Sequence, residues 1–310
     1  MITVARARSG WSRNLILLSL VGVGATLAAG VAFQFYGIVH ALQPNPWLRS
    51  FVGGGVFLWL FSSTGACVLH RIWLFLSDRT AASNFDPGRR KLMDAAGTAL
   101  AAAPFAICGY GALIQRTDFH IREVEVPISN LPPDLRGLRI LQLSDIHIGP
   151  FLTERDLARV IDESLNLRPH LAVITGDLIS MRGDPLDACL RQIARLRPDA
   201  GILGCMGNHE AYAETEAYTA EQGGRLGIDF LRSRARPLKF GNATLNVAGM
   251  DYQSVSKRAT YLTGAERLVA PDAVNLLLAH NPDVFPVAAK KAGRRANGMG
   301  LYVIIDASAR

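Results

Sequence analysis

The chain has 310 residues, 49% of them hydrophobic, a formal charge of +7 and four cysteines. That length leaves room for about two domains, and Cys67, Cys108, Cys189 and Cys205 lack the paired spacing of a zinc cluster or a disulfide framework. Much of the Arg and Lys flanks long apolar runs without interleaved aromatic residues, which favours a membrane and disfavours nucleic acid as a partner.

Residues 14–42 carry no charged side chain and exceed the roughly 20 residues that cross a bilayer. Residues 51–69 form a second apolar run, and residues 92–114 a third, weakened by Asp94 near its start and Pro104 inside it. Together they predict a membrane domain over residues 1–116 with three transmembrane helices at 14–42, 51–69 and 92–114. The first run is too long for a cleaved signal peptide, and a further apolar run follows it. Arg6, Arg8 and Arg13 precede the first run, Arg49 alone lies in the first loop, and Arg79, Arg89, Arg90 and Lys91 lie in the second. By the positive-inside rule, everything after Ile114 faces outward from the cytoplasm.

Residues 117–310 read as a soluble α/β domain. "FHIREVEVPIS" (119–129) alternates apolar and polar residues, as an edge strand does. "RILQLSD" (139–145) is a buried strand, and Thr153 then caps a helix to about Leu167 with Leu157, Val160, Ile161 and Leu165 at helical spacing. "HLAVITGD" (170–177) is a second strand, residues 185–196 a helix, and "AGILGCMGNHE" (200–210) a third strand. "ATLNVAGMDY" (243–252) and "AVNLLLAHNPDVF" (273–285) supply two more. Strands alternating with helices place helices on the faces of a sheet.

The polar residues of this domain gather at the C-terminal ends of those strands, where open α/β sheets bind ligands. They are Asp145, His147, Asp177, Asn208, His209 and His280. Asp145 and His147 are two apart, so in an extended chain they project to the same side. Each residue alone reads as a helix cap or a satisfied histidine, but successive strand ends with these residue types are hard to attribute to capping. Two divalent cations held close together clamp a phosphate ester and activate water. Carboxylate, imidazole and amide oxygen suit Mn, Fe or Zn, and a neutral histidine beside them can protonate a leaving alkoxide.

In order and spacing, "DIH", "GD", "GNHE" and "AHNPD" resemble the motifs of the calcineurin-like metallophosphoesterases, most nearly their membrane-attached bacterial branch. The resemblance implies layered β sheets flanked by helices over residues 117–310 and a two-metal hydrolase acting on a phosphomonoester, phosphodiester or pyrophosphate. It assigns Asp145 and His147 to the first metal, Asp177 to a bridge, and Asn208 and His280 to the second metal. His209 would orient the phosphate and act as general acid. Glu210 receives no catalytic role, and Asp251 reads as a turn residue near the site. The apolar third makes this a multi-pass protein of the bacterial inner membrane with a periplasmic or external domain, for which a lipid-linked or envelope-derived substrate is an expectation from location.

The family closes its site with a Gly-His-x-His motif, and none of the seven histidines here lies two residues from another. The domain is therefore expected to be C-terminally incomplete, through a shifted frame or a truncated gene, and poorly active as written. The alternatives are a degenerate, non-catalytic membrane protein with a binding or structural role, and a chain in which "LYVIIDA" (301–307) forms the expected strand with Asp306 as a ligand. Transport is disfavoured because the apolar runs hold almost no ionisable residues.

Overall fold

A computed structural model of the chain describes Gly24 and residues 46–79, 87–115, 118–128, 130–288 and 302–305. The first expected span, 14–42, lies outside these residues apart from Gly24. The chain divides into two compact units, Met1–Phe119 and His120–Arg310.

In the first unit, the second apolar run falls within helix α1 (Pro46–Arg79), and the third, up to Leu113, within α2 (Pro87–Leu113). Small residues let the two helices approach. A Cβ on Gly97 would meet the Trp73 indole nitrogen at 2.6 Å, and one on Gly65 would meet the Pro104 ring at 3.2 Å. The Trp59 and Phe105 rings pack at 5.3 Å between centroids. Phe61, Ile107 and Leu113 are exposed. Among the described residues one helical stretch, Lys91–Leu113, is long and apolar enough to cross a membrane.

The second unit is built on two four-stranded sheets. The first is wholly parallel, with β1 (Ile140–Leu143), β2 (Leu171–Ile174), β3 (Ile202–Gly204) and β4 (Ile228–Phe230) side by side in chain order. Parallel neighbours need crossovers, and helices α3 (Glu154–Asn166), α4 (Leu186–Ile193), α5 (Asn208–Tyr212) and α6 (Glu216–Arg225) supply them. Helix α3 begins where the sequence places it: Thr153 accepts the Asp156 N–H while the Asp156 carboxylate takes the Thr153 N–H, a reciprocal cap. Its buried residues Leu157, Ile161 and Ser164 lie on one face at helical spacing.

The second sheet runs β5 (Arg234–Phe240), β6 (Ala243–Gly249), β7 (Val274–Leu278) and β8 (Tyr302–Ile305). The β5–β6 pair is antiparallel and the others are parallel. Strand β2 shows how the layers form. Ala172 and Ile174 face the helices with Ile161 and Leu190, whereas Leu171 and Val173 face the second sheet with Leu245, Val247, Leu276 and Leu278. Burial on both faces accounts for its unbroken apolar run. Beyond the second sheet, Met250, Tyr261, Leu262, Ala279 and Val284 form a smaller cluster. The layers are thus helices, parallel sheet, mixed sheet and irregular cover.

Three expectations change. Residues 118–128 join neither sheet, and Ile121, Val124 and Val126 are exposed; alternation marks a segment fit for a strand, but a strand also needs a partner edge. Strands β4 and β5 were not legible in the sequence, β4 because it is three residues long and β5 because "RARPLKF" is basic and interrupted by Pro237. Strand β5 is an edge, where a residue without an N–H is tolerated. Finally, Tyr302–Ile305 does pair with β7, in parallel, so this stretch extends the sheet as the alternative with a strand at 301–307 required, while Asp306 lies outside the described residues.

Candidate metal centre

The C-terminal ends of β1, β2 and β3 lie at one edge of the parallel sheet, and the turns that follow them are zipped together. Asp145 donates its N–H to the Gly176 carbonyl, His147 to that of Asp177 and Ile148 to that of Leu178. Asp145, His147 and Asp177 have φ of +51°, +47° and +55°. Non-glycine residues in this region cost free energy and cluster at functional sites.

Close packing dictates the glycines of the "GD" and "GNHE" motifs. A Cβ on Gly176 would stand 2.4 Å from the Gly207 nitrogen, and one on Gly207 would stand 2.1 Å from Asp177 Oδ1. The two turns therefore touch backbone to backbone, which sets the Asp177 carboxylate beside "NHE".

Asp177 is the hub. It is 3% exposed, and its Oδ1 accepts the His209 N–H at 2.9 Å. Its Oδ2 faces three imidazoles, with His280 Nε2 at 3.3 Å, His147 Nε2 at 3.5 Å and His209 Nε2 at 3.8 Å. In each ring the other nitrogen meets a carbonyl: Nδ1 of His280 lies 2.8 Å from Thr175 O, that of His147 3.2 Å from Ile179 O, and that of His209 2.5 Å from Ser180 O. An Nδ1–H donating to a backbone carbonyl fixes the ring and turns Nε2 towards the site, the arrangement that orients metal-binding histidines.

The remaining donors lie close by. Asp145 Oδ1 is 3.8 Å from His147 Nε2, and Asn208 Oδ1 is 2.9 Å from His280 Nε2. Two sets, His147–Asp177–His209 and Asp145–Asp177–His280, have donor atoms all within 4.8 Å of one another. Asp177 belongs to both. His209, expected beside the metals as an acid, thus lies in a donor set as well.

Burial alone would raise the Asp177 carboxyl, but hydrogen bonds from His280 and the His209 backbone, with the charges of both histidines, bring it below the usual carboxylate value. Burial likewise opposes a charge on His280, and the hydrogen bond and charge of Asp177 outweigh it and raise that imidazole. Burial first, then the Glu210 charge, pushes the Cys189 and Cys205 thiols up, in keeping with their reading as small buried hydrophobes.

Glu210 is a residue the sequence reading set aside. It is 0% exposed and accepts three backbone N–H bonds, from Asp177, Leu178 and Gly207. One local signal pointed to it, the spacing of a helix start with an acid at the third position after the cap. Tyr212 and Tyr252 also border the centre, their rings 6.1 Å apart, with Tyr252 6.2 Å from His280. The neighbouring Tyr212 hydroxyl, then burial, pushes the Tyr252 phenol up to about 12. Asp251 is more than a turn residue: its carboxylate binds the Arg232 guanidinium at 3.1–3.3 Å.

The family model of the calcineurin-like phosphoesterases matches residues 138–287. A Danio rerio protein named transmembrane protein with metallophosphoesterase domain is 33% identical over 110 residues, which are 35% of this chain and 25% of that protein. The Bos taurus protein of the same name is 27% identical over 190 residues, covering 56% of this chain and 40% of its own length. A UDP-2,3-diacylglucosamine pyrophosphatase of Chlamydia trachomatis is 32% identical over 85 residues, 26% of each chain. The chain spans less than half the length of these relatives. The matched residues contain all four motifs and all six candidate donors gathered around Asp177, and the chain carries a calcineurin-like metallophosphoesterase domain over residues 138–287.

Proposed function

We propose that this domain is a metal-dependent hydrolase of a phosphate ester or pyrophosphate. The observation that carries the reading is the convergence of three backbone-oriented Nε2 atoms on one oxygen of the buried Asp177. The donor set of two carboxylates, three imidazoles and an amide oxygen fits two divalent ions of the Mn, Fe or Zn type. Asp145 and His147 would hold one, Asn208 and His280 the other, and Asp177 both. Two such ions, when bound, polarise the phosphoryl group and lower the pKa of a water.

The protein's own part is orientation and proton handling. Asp177 keeps one oxygen on the His209 N–H and the other in the site, so its carboxylate cannot swing away. The Thr175 and Ile179 carbonyls hold His280 and His147 in one tautomer. His209, held through Nδ1 by the Ser180 carbonyl, presents Nε2 to the site and there would give a proton to the leaving oxygen.

Membrane attachment through α1, α2 and the apolar run before them is part of the same proposal. It is supported by the apolar stretch Lys91–Leu113 and by relatives named transmembrane proteins. The domain would then act on the periplasmic or external side of a bacterial inner membrane. A lipid-linked substrate is supported by that location and by the pyrophosphatase relative.

The test is to express the full chain, solubilise the membrane fraction in detergent, and measure Mn, Fe and Zn content together with hydrolysis of bis-p-nitrophenyl phosphate. Bound metal with turnover that a chelator abolishes supports the hydrolase. A folded protein that takes up no metal from any of the three salts sinks it and leaves the non-catalytic reading.

A further inference from the structure

We infer that Glu210 is the positioning residue of this centre: its buried carboxylate presets the geometry of Asp177, and through it the affinity for metal. The inference rests on the metal-binding reading above and goes beyond it, because Glu210 belongs to neither donor set.

Both oxygens of Glu210 are spent on backbone. Oε2 accepts the N–H of Asp177 and that of Gly207, each at 2.8 Å, and Oε1 accepts the N–H of Leu178 at 2.7 Å. Those three donors come from the two turns that carry Asp177 and Asn208. Asp177 sits at φ +55°, a conformation that persists only where the surroundings over-determine it. Glu210 grips both sides of that residue, taking its own N–H and the next one along the chain. The Asp177 side chain in turn takes the His209 N–H, so the two turns are cross-tied in both directions.

An ionised carboxylate suits this place because it only accepts. A glutamine would turn its NH2 against at least one of the three backbone donors. The turn would then relax, Asp177 Oδ2 would move off the point where three Nε2 atoms converge, and the site would lose the alignment that a bridging ligand needs. Supporting groups of this kind matter about 10–100-fold in metal affinity.

The experiment is a calorimetric titration of the metal-stripped, detergent-solubilised full chain with Mn²⁺, comparing wild type, Glu210→Gln, Glu210→Asp and Ile161→Ala. Ile161 is fully buried under the sheet and belongs to neither donor set, so Ile161→Ala reports the effect of lost fold stability alone. Glu210→Gln, with a cooperative melt retained, is expected to bind Mn²⁺ at least about tenfold more weakly. Glu210→Asp, which keeps the charge but retracts it, should lie between, and Ile161→Ala should match wild type. Wild-type affinity in Glu210→Gln overturns the inference, as does an equal loss in Ile161→Ala. Should Glu210→Gln fail to fold, Glu210→Asp decides: weaker binding upholds the inference and wild-type affinity overturns it. A wild-type chain that binds no Mn²⁺ removes the metal reading itself and this inference with it.

Discussion

Asp177 and Glu210 each hold the backbone of the other's turn: Asp177 Oδ1 takes the His209 N–H at 2.9 Å, and Glu210 Oε2 takes the Asp177 N–H at 2.8 Å. The exchange works only because nothing stands between the turns, and the lack of a side chain at Gly176 and Gly207 makes that approach possible.

Gly207→Ala is accordingly expected to do damage out of proportion to one methyl group. Its Cβ would overlap Asp177 Oδ1 at 2.1 Å and the Asp177 nitrogen at 2.5 Å. Overpacking of this kind costs about 1–3 kcal/mol, and the displaced atom is a proposed bridging ligand. Thermal melts should show the loss of stability and metal analysis a loss of bound ion. Normal metal content in a Gly207→Ala protein would contradict the close approach of the two turns.

His209→Ala should separate proton donation from metal holding. An acid contributes about 10²–10⁴-fold when the leaving group is a poor one, and little when it is as acidic as p-nitrophenol. The variant should therefore lose far more rate on an alkyl phosphodiester than on bis-p-nitrophenyl phosphate. Equal losses on both, accompanied by metal loss, would instead make His209 a ligand, which its place in a donor set permits.

The metal-free protein should lose stability on both sides of a mildly acidic window. Asp177 is held below its ordinary value, so its contribution is present above an unfolded pKa of about 3.9 and is lost as pH falls through the lower folded value. His280 is raised, so its contribution is complete below an unfolded pKa of about 6.5 and is lost as pH rises through the higher folded value. Denaturant midpoints of the chelated protein should be higher near pH 5.5 than near pH 8.5. A midpoint that climbs steadily towards pH 8.5 would show that the Asp177–His280 pair is not charged in the folded chain.

Metal uptake should release a proton from His280. Its Nδ1 faces the Thr175 carbonyl at 2.8 Å and its Nε2 faces Asn208 Oδ1 at 2.9 Å, so both nitrogens have acceptors and the raised imidazole carries both protons in mildly acidic solution. An ion at Nε2 displaces one of them. Calorimetry in two buffers of different ionisation enthalpy should detect the release near pH 6 and find less of it near pH 9. Equal heats in the two buffers near pH 6 would rule it out.

The sequence by itself determined the strands β1, β2, β3, β6 and β7, because each is a short apolar run packed into a sheet, half-buried in the edge strand β1 and mostly buried in the others. It determined the helix capped by Thr153 as well, because its cap is made by neighbours three residues apart. It also determined the candidate residues, since the motifs "DIH", "GD", "GNHE" and "AHNPD" put unusual polar side chains at strand ends. Tertiary structure alone decided what those residues do to one another. The convergence of His147, His209 and His280 on Asp177 joins positions up to 133 residues apart, and the carbonyls that orient them carry no side-chain signal. Glu210 looked like the end of a motif until the fold set its carboxylate beside three N–H groups of the turns around it. The exposed segment 118–128 failed the other way, its alternation promising a strand that pairs with an edge of neither sheet. Local patterns record what a residue needs from its nearest neighbours along the chain; which distant backbone meets a buried carboxylate is settled only when the sheets pack.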